Sequence, residues 1–231
     1  MHPPEKGNYM NSNKKNNECR CKDVFHAFLV EKADYDGIEE IPCIRTSKLL
    51  PERLIPFSKA LCSTDYNQWV VFYENDSQIV RMWNQPHKYL EKLKKFKGVI
   101  TPDFSLYRNM PLVMQKWATY QGKAIGVWLQ NEGIEVIPNV RFADERSYPF
   151  CFSGVEKHST VAIGTHGCIK QLTDRTYFEK GLAEMVLELE PKNIIVYGSA
   201  PDSIFKNYKE SGIRILQFDS EIAAYHKVVN A

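Results

Sequence analysis

The sequence predicts an α/β fold of repeated strand–helix units around a parallel sheet. Three observations carry that prediction. Short apolar runs rich in branched and aromatic residues recur at Trp69–Tyr73, Gly98–Thr101, Ile134–Ile137, Thr160–Ile163, Asn193–Tyr197 and Ile213–Phe218. Segments with apolar residues at three- and four-residue steps separate most of them. Polar segments follow four of the runs directly: Thr101–Ser105, Pro138–Ser147, Gly164–Cys168 and Tyr197–Pro201. Strands and helices alternating at this spacing belong in a parallel sheet with helices outside it. Right-handed crossovers leave two closures. A doubly wound open sheet gathers its site at one switch point, whereas a TIM-like barrel collects residues from many strand ends. Because polar segments follow four strands, a partial TIM-like barrel is favoured over the open sheet. Ile41–Ile44 and part of Leu54–Ala60 are the expected completing strands.

Residues 1–22 are rich in Asn, Lys, Pro and Gly with few apolar positions, the composition of a disordered tail. Residues 23–231 are expected to form one domain, a size ordinary for a single α/β unit. Pro86–Lys97 reads as a helix with Tyr89, Leu90, Leu93 and Phe96 on one face and lysines on the other. A longer helix follows to about Gln130, with Asn109 as its cap and Pro111 in its first turn. Gly122 and Gly126 weaken its middle but permit close packing. Thr173 or Asp174 caps the next helix, which buries Tyr177, Phe178, Gly181, Leu182, Met185, Val186 and Leu189. Ser203–Ser211 is a short helix stopped by Gly212, and Glu221–Val228 is the last.

A net charge of +2 lacks the strong basicity that marks many nucleic-acid-binding domains. Six cysteines show no C-x-x-C pair and no zinc-finger spacing, which suits a reduced, intracellular chain. No apolar leader precedes the first strand and no run approaches a membrane span, so the expected setting is the cytoplasm, with no membrane contact.

Lys97–Arg108, Val136–Arg141, Asp144–Arg146 and Val161–Cys168 together resemble a family known only as a domain of unknown function, DUF4417, of bacteria, their phages and mobile elements. The resemblance spans roughly residues 40–225 and implies a phage or mobile-element setting. It implies no activity and no cofactor.

The polar segments supply the candidate chemistry. Asp103 is a candidate general base, metal ligand or hydroxyl acceptor, against a plain turn-capping role for it or Ser105. Asp144, Glu145 and Arg146 are either paired acid/base groups with an anion-binding arginine or a salt-bridge network ordering a loop. His166 suits proton transfer near neutrality. These five form the expected catalytic set. Ser105, Arg108, Asn139, Arg141, Gly164, Thr165, Gly167, Tyr197 and Ser199 are the expected ligand-binding set, with backbone amides of Gly164–Gly167 open to an anion. Ser199 either binds phosphate or caps the next helix. A metal shared by Asp103 and Asp144 is an option that no spacing motif supports.

The chain lacks a G-x-x-x-x-G-K-[ST] loop, a G-x-G-x-x-G turn, a G-x-S-x-G elbow and an H-E-x-x-H pair. That argues against a P-loop NTPase, a dinucleotide oxidoreductase, an α/β-hydrolase and a common zinc protease. Two readings remain. One is an enzyme acting on a nucleotide, nucleoside or nucleic-acid end. The other is a non-catalytic protein that sequesters a small signalling ligand or a host or defence protein.

Overall fold

The computed structural model describes residues 23–220. The expected tail (1–22) and last helix (221–228) lie outside them. A 3-10 turn, Ala27–Val30, precedes a hairpin of β1 (Tyr35–Asp36) and β2 (Ile41–Pro42), paired antiparallel. Then follow β3 (Leu54–Pro56), α1 (Phe57–Ala60), β4 (Trp69–Val71), α2 (Asp76–Asn84), α3 (Pro86–Leu93) and β5 (Gly98–Ile100). The second half comprises α4 (Leu112–Asn131), β6 (Val136–Ile137), α5 (Tyr148–Cys151), β7 (Thr160–Gly164), α6 (Leu172–Leu189), β8 (Asn193–Tyr197), α7 (Asp202–Glu210) and β9 (Arg214–Phe218).

Every strand expected from Trp69 onward forms. Helices α2 and α5 are additions: the apolar side chains that α2 buries, Ile79, Met82 and Trp83, fill only about a turn, and α5 is a single turn. The expected caps differ. Pro111 stands at the N-cap of α4 and Gln171 at that of α6, and neither helix has a side-chain cap. Asn109, Thr173 and Asp174 therefore do not act as caps. Ile41–Pro42 does not complete the parallel sheet as expected; it pairs with β1 and packs on α4. Leu54–Pro56 does join the sheet, pairing with β4.

The parallel strands run in chain order. β3, β4, β5 and β6 form one ladder set and β7, β8 and β9 another. A parallel bridge from Asn139 to Ala162 links the two sets. A doubly wound sheet would reverse its strand order at the switch point, and this order has no reversal. No ladder returns from β9 to β3 among the described residues, so closure into a barrel is not shown.

The sheet is nevertheless curled. The rings of Tyr73, just past β4, and Tyr197, at the end of β8, stack with centroids 4.6 Å apart. Four strand spacings separate β4 from β8, about 19 Å in a flat sheet. One face of the sheet packs on helices: Val70, Phe72, Val99 and Val136 on one side, Val161, Ile163, Ile194 and Val196 on the other. The opposite face packs on itself through Trp69, Val71, Ile100, Ile137, Ala162, Ile195 and Tyr197. Such two-sided burial explains why β8 reads as an unbroken apolar run rather than an alternating one.

Helix α4 is buried on all sides from Gln121 to Leu129. The 3-10 turn and β2 cover the side that an outer helix would show to water. Gly122 and Gly126 provide the expected close packing: a Cβ at Gly126 would lie 2.5 Å from Ile44 Cδ1 and 2.7 Å from Thr101 Cγ2. Among the described residues, no helix is long and apolar enough to cross a membrane.

Candidate functional site

Side chains alternate between the faces of a strand. Trp69, Val71 and Tyr73 therefore share the inner face of β4, and on β8 Ile195 and Tyr197 do the same. Tyr73, Asn139, Gly164 and Tyr197 occupy the last inner position at the carboxyl ends of β4, β6, β7 and β8. There a polar network replaces the apolar core.

The Tyr73 hydroxyl donates to Asn139 Oδ1 at 2.9 Å, and Asn139 Nδ2 donates to Asp103 Oδ1 at 2.7 Å. The tyrosine thus fixes the amide so that its NH2 faces the carboxylate. Asn139 is itself held by its backbone N–H, which donates to Thr101 Oγ1 at 2.8 Å. The other Asp103 oxygen lies 3.7 Å from Arg141 Nη1. That guanidinium also reaches Cys168 Sγ, at 3.5 Å. The Asp103 side chain keeps 14% of its surface exposed.

Burial pushes the Asp103 carboxyl above its ordinary range; Arg141 and the Asn139 hydrogen bond pull it down and offset this only in part. Burial, with the Asp103 charge nearby, also holds the Tyr73 phenol well above its usual range, so it stays protonated and donates. For Arg141, burial opposes the charged form, but Asp103 and the Cys168 sulfur outweigh it.

Glycine is required beside this network. A Cβ on Gly164 would meet the Tyr73 ring at 3.0 Å and Asp103 Oδ2 at 3.7 Å. Gly198 has a φ of 119° and leaves room for Thr165, whose hydroxyl donates to the Ser199 carbonyl at 2.8 Å. Ser105 donates its backbone N–H to Asp76 Oδ1, at 3.1 Å, which ties the segment after β5 to the start of α2. Neither Asp103 nor Ser105 supplies the side-chain turn cap weighed from the sequence. Ser199 is exposed and does not cap α7, whose N-cap is Pro201 without a side-chain bond.

Asp144 and Arg146 form a separate cluster. Arg146 Nη2 lies 2.8 Å from Asp144 Oδ2 and also donates to the Arg108 carbonyl. Arg108 in turn pairs with Asp174 at 2.7 Å and sits over the Tyr177 ring at 4.4 Å. The hydrogen bonds of Arg146 hold the Asp144 carboxyl below its ordinary range. Glu145 is exposed and lines a groove with Tyr148, Glu184 and Glu188. His166 is exposed on the turn after β7, where the Cys168 N–H closes onto the Thr165 carbonyl and Gly167 takes a φ of 76°. Among the described residues, no hydrogen bond or ion pair links Asp103 to Glu145 or His166, and no group of three or more His, Cys, Asp or Glu is placed to hold a metal.

Two residues of the region were missed. Tyr73 ends the Trp69–Tyr73 run in step with Trp69 and Val71, and that parity marks it as inward-facing. Lys123 is 3% exposed within α4, behind Asn139 and Arg141. Its signal is the polar series Gln115, Thr119, Lys123 at four-residue steps.

The family described as a domain of unknown function (DUF4417) matches residues 33–219. The Gene 1 protein of Mycobacterium phage L5 is 33% identical over 163 residues, which cover 69% of this chain and 71% of that protein. The Gene 1 protein of Mycobacterium phage D29 is 29% identical over 163 residues, 69% of this chain and 60% of the relative. No solved structure matches the chain.

Proposed function

The chain belongs to the DUF4417 family, as its motifs led us to expect, and from that premise we propose that it is an enzyme acting on a nucleotide, nucleoside or nucleic-acid end. The observation that carries this reading is the Tyr73–Asn139–Asp103–Arg141 network at the carboxyl ends of the curled sheet. Asp103 is the acid/base group. Its burial raises its proton affinity, Asn139 orients it, and Arg141 stabilises its anion once the proton has left. The rings of Tyr73 and Tyr197 stack on each other, and the Tyr73 ring fills the space that Gly164 leaves, so together they brace the rim beside Asp103. The reaction class is hydrolysis or glycosyl-type transfer, without an assigned metal or cofactor. Residues 23–231 act as one unit, a partial barrel, in the cytoplasm. Phage relatives support a mobile-element setting.

The test is a panel of nucleotides and nucleosides followed by thermal shift and by product analysis. At least one should both stabilise the protein and be converted. Asp103→Asn should retain binding and lose at least about a hundredfold in turnover, the usual scale of a lost acid/base group. Turnover unchanged in Asp103→Asn would refute this assignment.

A second reading, a non-catalytic binder of a host or defence protein, draws on exposed apolar side chains at the start of α4. Val113, Met114 and Trp117 are 73, 52 and 45% exposed, and Tyr107 precedes them at 54%. Binding of a small ligand without product would favour sequestration of that ligand, and binding of none would favour the macromolecular partner.

A further inference from the structure

Lysine is rarely buried without a partner, because an ammonium stripped of water is unfavourable unless it is paired. Lys123 is such a case. Its Nζ has no hydrogen-bond partner among the described residues, and the same holds for Thr119 Oγ1 and Arg141 Nε. Thr119 and Lys123 lie one turn apart on α4; Arg141 comes from the segment after β6. All three line one cavity, walled further by Pro102, Phe104 and Leu106. The centre of a water-sized sphere can range over about 20 Å³ there. One water needs about 10–15 Å³ by that measure.

We propose that this cavity binds a small monovalent inorganic anion of halide size, held by Lys123 Nζ, Arg141 Nε and Thr119 Oγ1. The argument rests on charge and on donor count. Asp103 answers the Arg141 charge at 3.7 Å. Lys123 has no ion pair among the described residues; Asp36 acts on it only at longer range. Burial holds the neighbouring Cys151 thiol far above its ordinary range, so it stays neutral and contributes no charge. The unpartnered side-chain atoms on the cavity wall are N–H donors apart from the Thr119 hydroxyl. A water would accept two of these hydrogens, and of the unpartnered side-chain groups on the wall only the Thr119 hydroxyl can accept either of its own two protons. A halide only accepts, and it brings the missing negative charge. The space suits a body slightly larger than one water and excludes an organic anion such as gluconate. The site lies behind Arg141 and does not depend on whether the rim turns over a ligand.

Bromide-soaked crystals of the full chain test the site directly. The expected result is an anomalous peak in the cavity within contact distance of the three named atoms. In solution at constant ionic strength, the melting temperature should be about 3 °C higher in bromide or chloride than in gluconate, the shift that roughly tenfold saturation supports. Lys123→Met should abolish that difference, and Thr119→Val should reduce it. If Lys123→Met does not fold, the bromide peak and Thr119→Val decide the matter. A cavity holding only water, or a halide-dependent shift as large in Lys123→Met as in the wild type, would overturn the proposal.

Discussion

Lys123 and Asp144 show how burial and pairing move a charged group in opposite directions. Burial lowers Lys123 to about 8. Between about 8 and the ordinary lysine value near 10.4, the unfolded chain binds the proton that the folded chain has released. The contribution of Lys123 should therefore rise as pH rises through that window, against the opposite trend from Cys151 and Tyr73, which keep their protons in the folded chain after the unfolded chain has lost them. Urea unfolding in gluconate buffer at pH 7.5 and pH 10 should show the wild type gaining stability relative to Lys123→Met between the two pH values; an unchanged difference would exclude Lys123 as a contributor. Asp144 behaves conversely. Arg146 depresses its carboxyl, so the contribution is complete above the ordinary carboxylate range and is lost as pH falls through the folded value. Asp144→Asn should cost at most about 1 kcal/mol at pH 7, because its partner Arg146 is half exposed and screened by solvent, and less at pH 3. An unchanged denaturant midpoint at pH 7 would show the pair to be idle. At this scale the legible residues were those in polar segments after strands: Asp103, Asn139, Arg141 and Gly164 do meet. Tyr73 and Lys123 were overlooked because one ends an apolar run and the other sits among helix formers.

Helix α4 is the element whose sequence and environment differ most. Its two glycines look like flaws in a helix, since each costs up to about 1 kcal/mol relative to Ala. The tertiary packing reverses that judgement. Gly126→Ala brings a methyl against Ile44 and Thr101 and should destabilise by about 1–2 kcal/mol despite the better propensity. Urea midpoints would check it, and a stabilised variant would mean that Ile44 yields freely. Sequence periodicity located this helix to within two residues of its start and end. It did not show that the helix is covered on both sides, because the covering strand β2 carries too short an apolar run to announce its partner. The helix caps were misread for a related reason. Asn109 and Asp174 have the right chemistry near the right positions, yet Asp174 is engaged by Arg108 and α4 begins from Pro111.

At the scale of the whole molecule, the core takes in a segment that precedes the family match. Leu29 is fully buried, four residues before the match begins at residue 33, and packs in the cluster around α4. Leu29→Ala should cost about 2–4 kcal/mol, as a large-to-small change in a core does. A loss below 1 kcal/mol would make this segment a removable appendage. The curl of the sheet also belongs to this scale. It brings Tyr73 and Tyr197 together across four strand spacings and turns separate strand ends into one rim.

By itself the sequence determined the strand–helix alternation, the parallel sheet and the polar segments at strand ends. Hydrophobic periodicity and turn chemistry are local properties, and they survive without knowledge of neighbours. Only the tertiary structure decided which polar segments converge. Asp103, Asn139 and Arg141 share a network with Tyr73, while Asp144 and Arg146 turn to Arg108. Such choices depend on sheet curvature and on the strand face each residue occupies, both settled by packing between segments far apart in the chain. The same holds for Lys123, whose isolation arises because the segment after β6 and the covering N-terminal residues meet around α4.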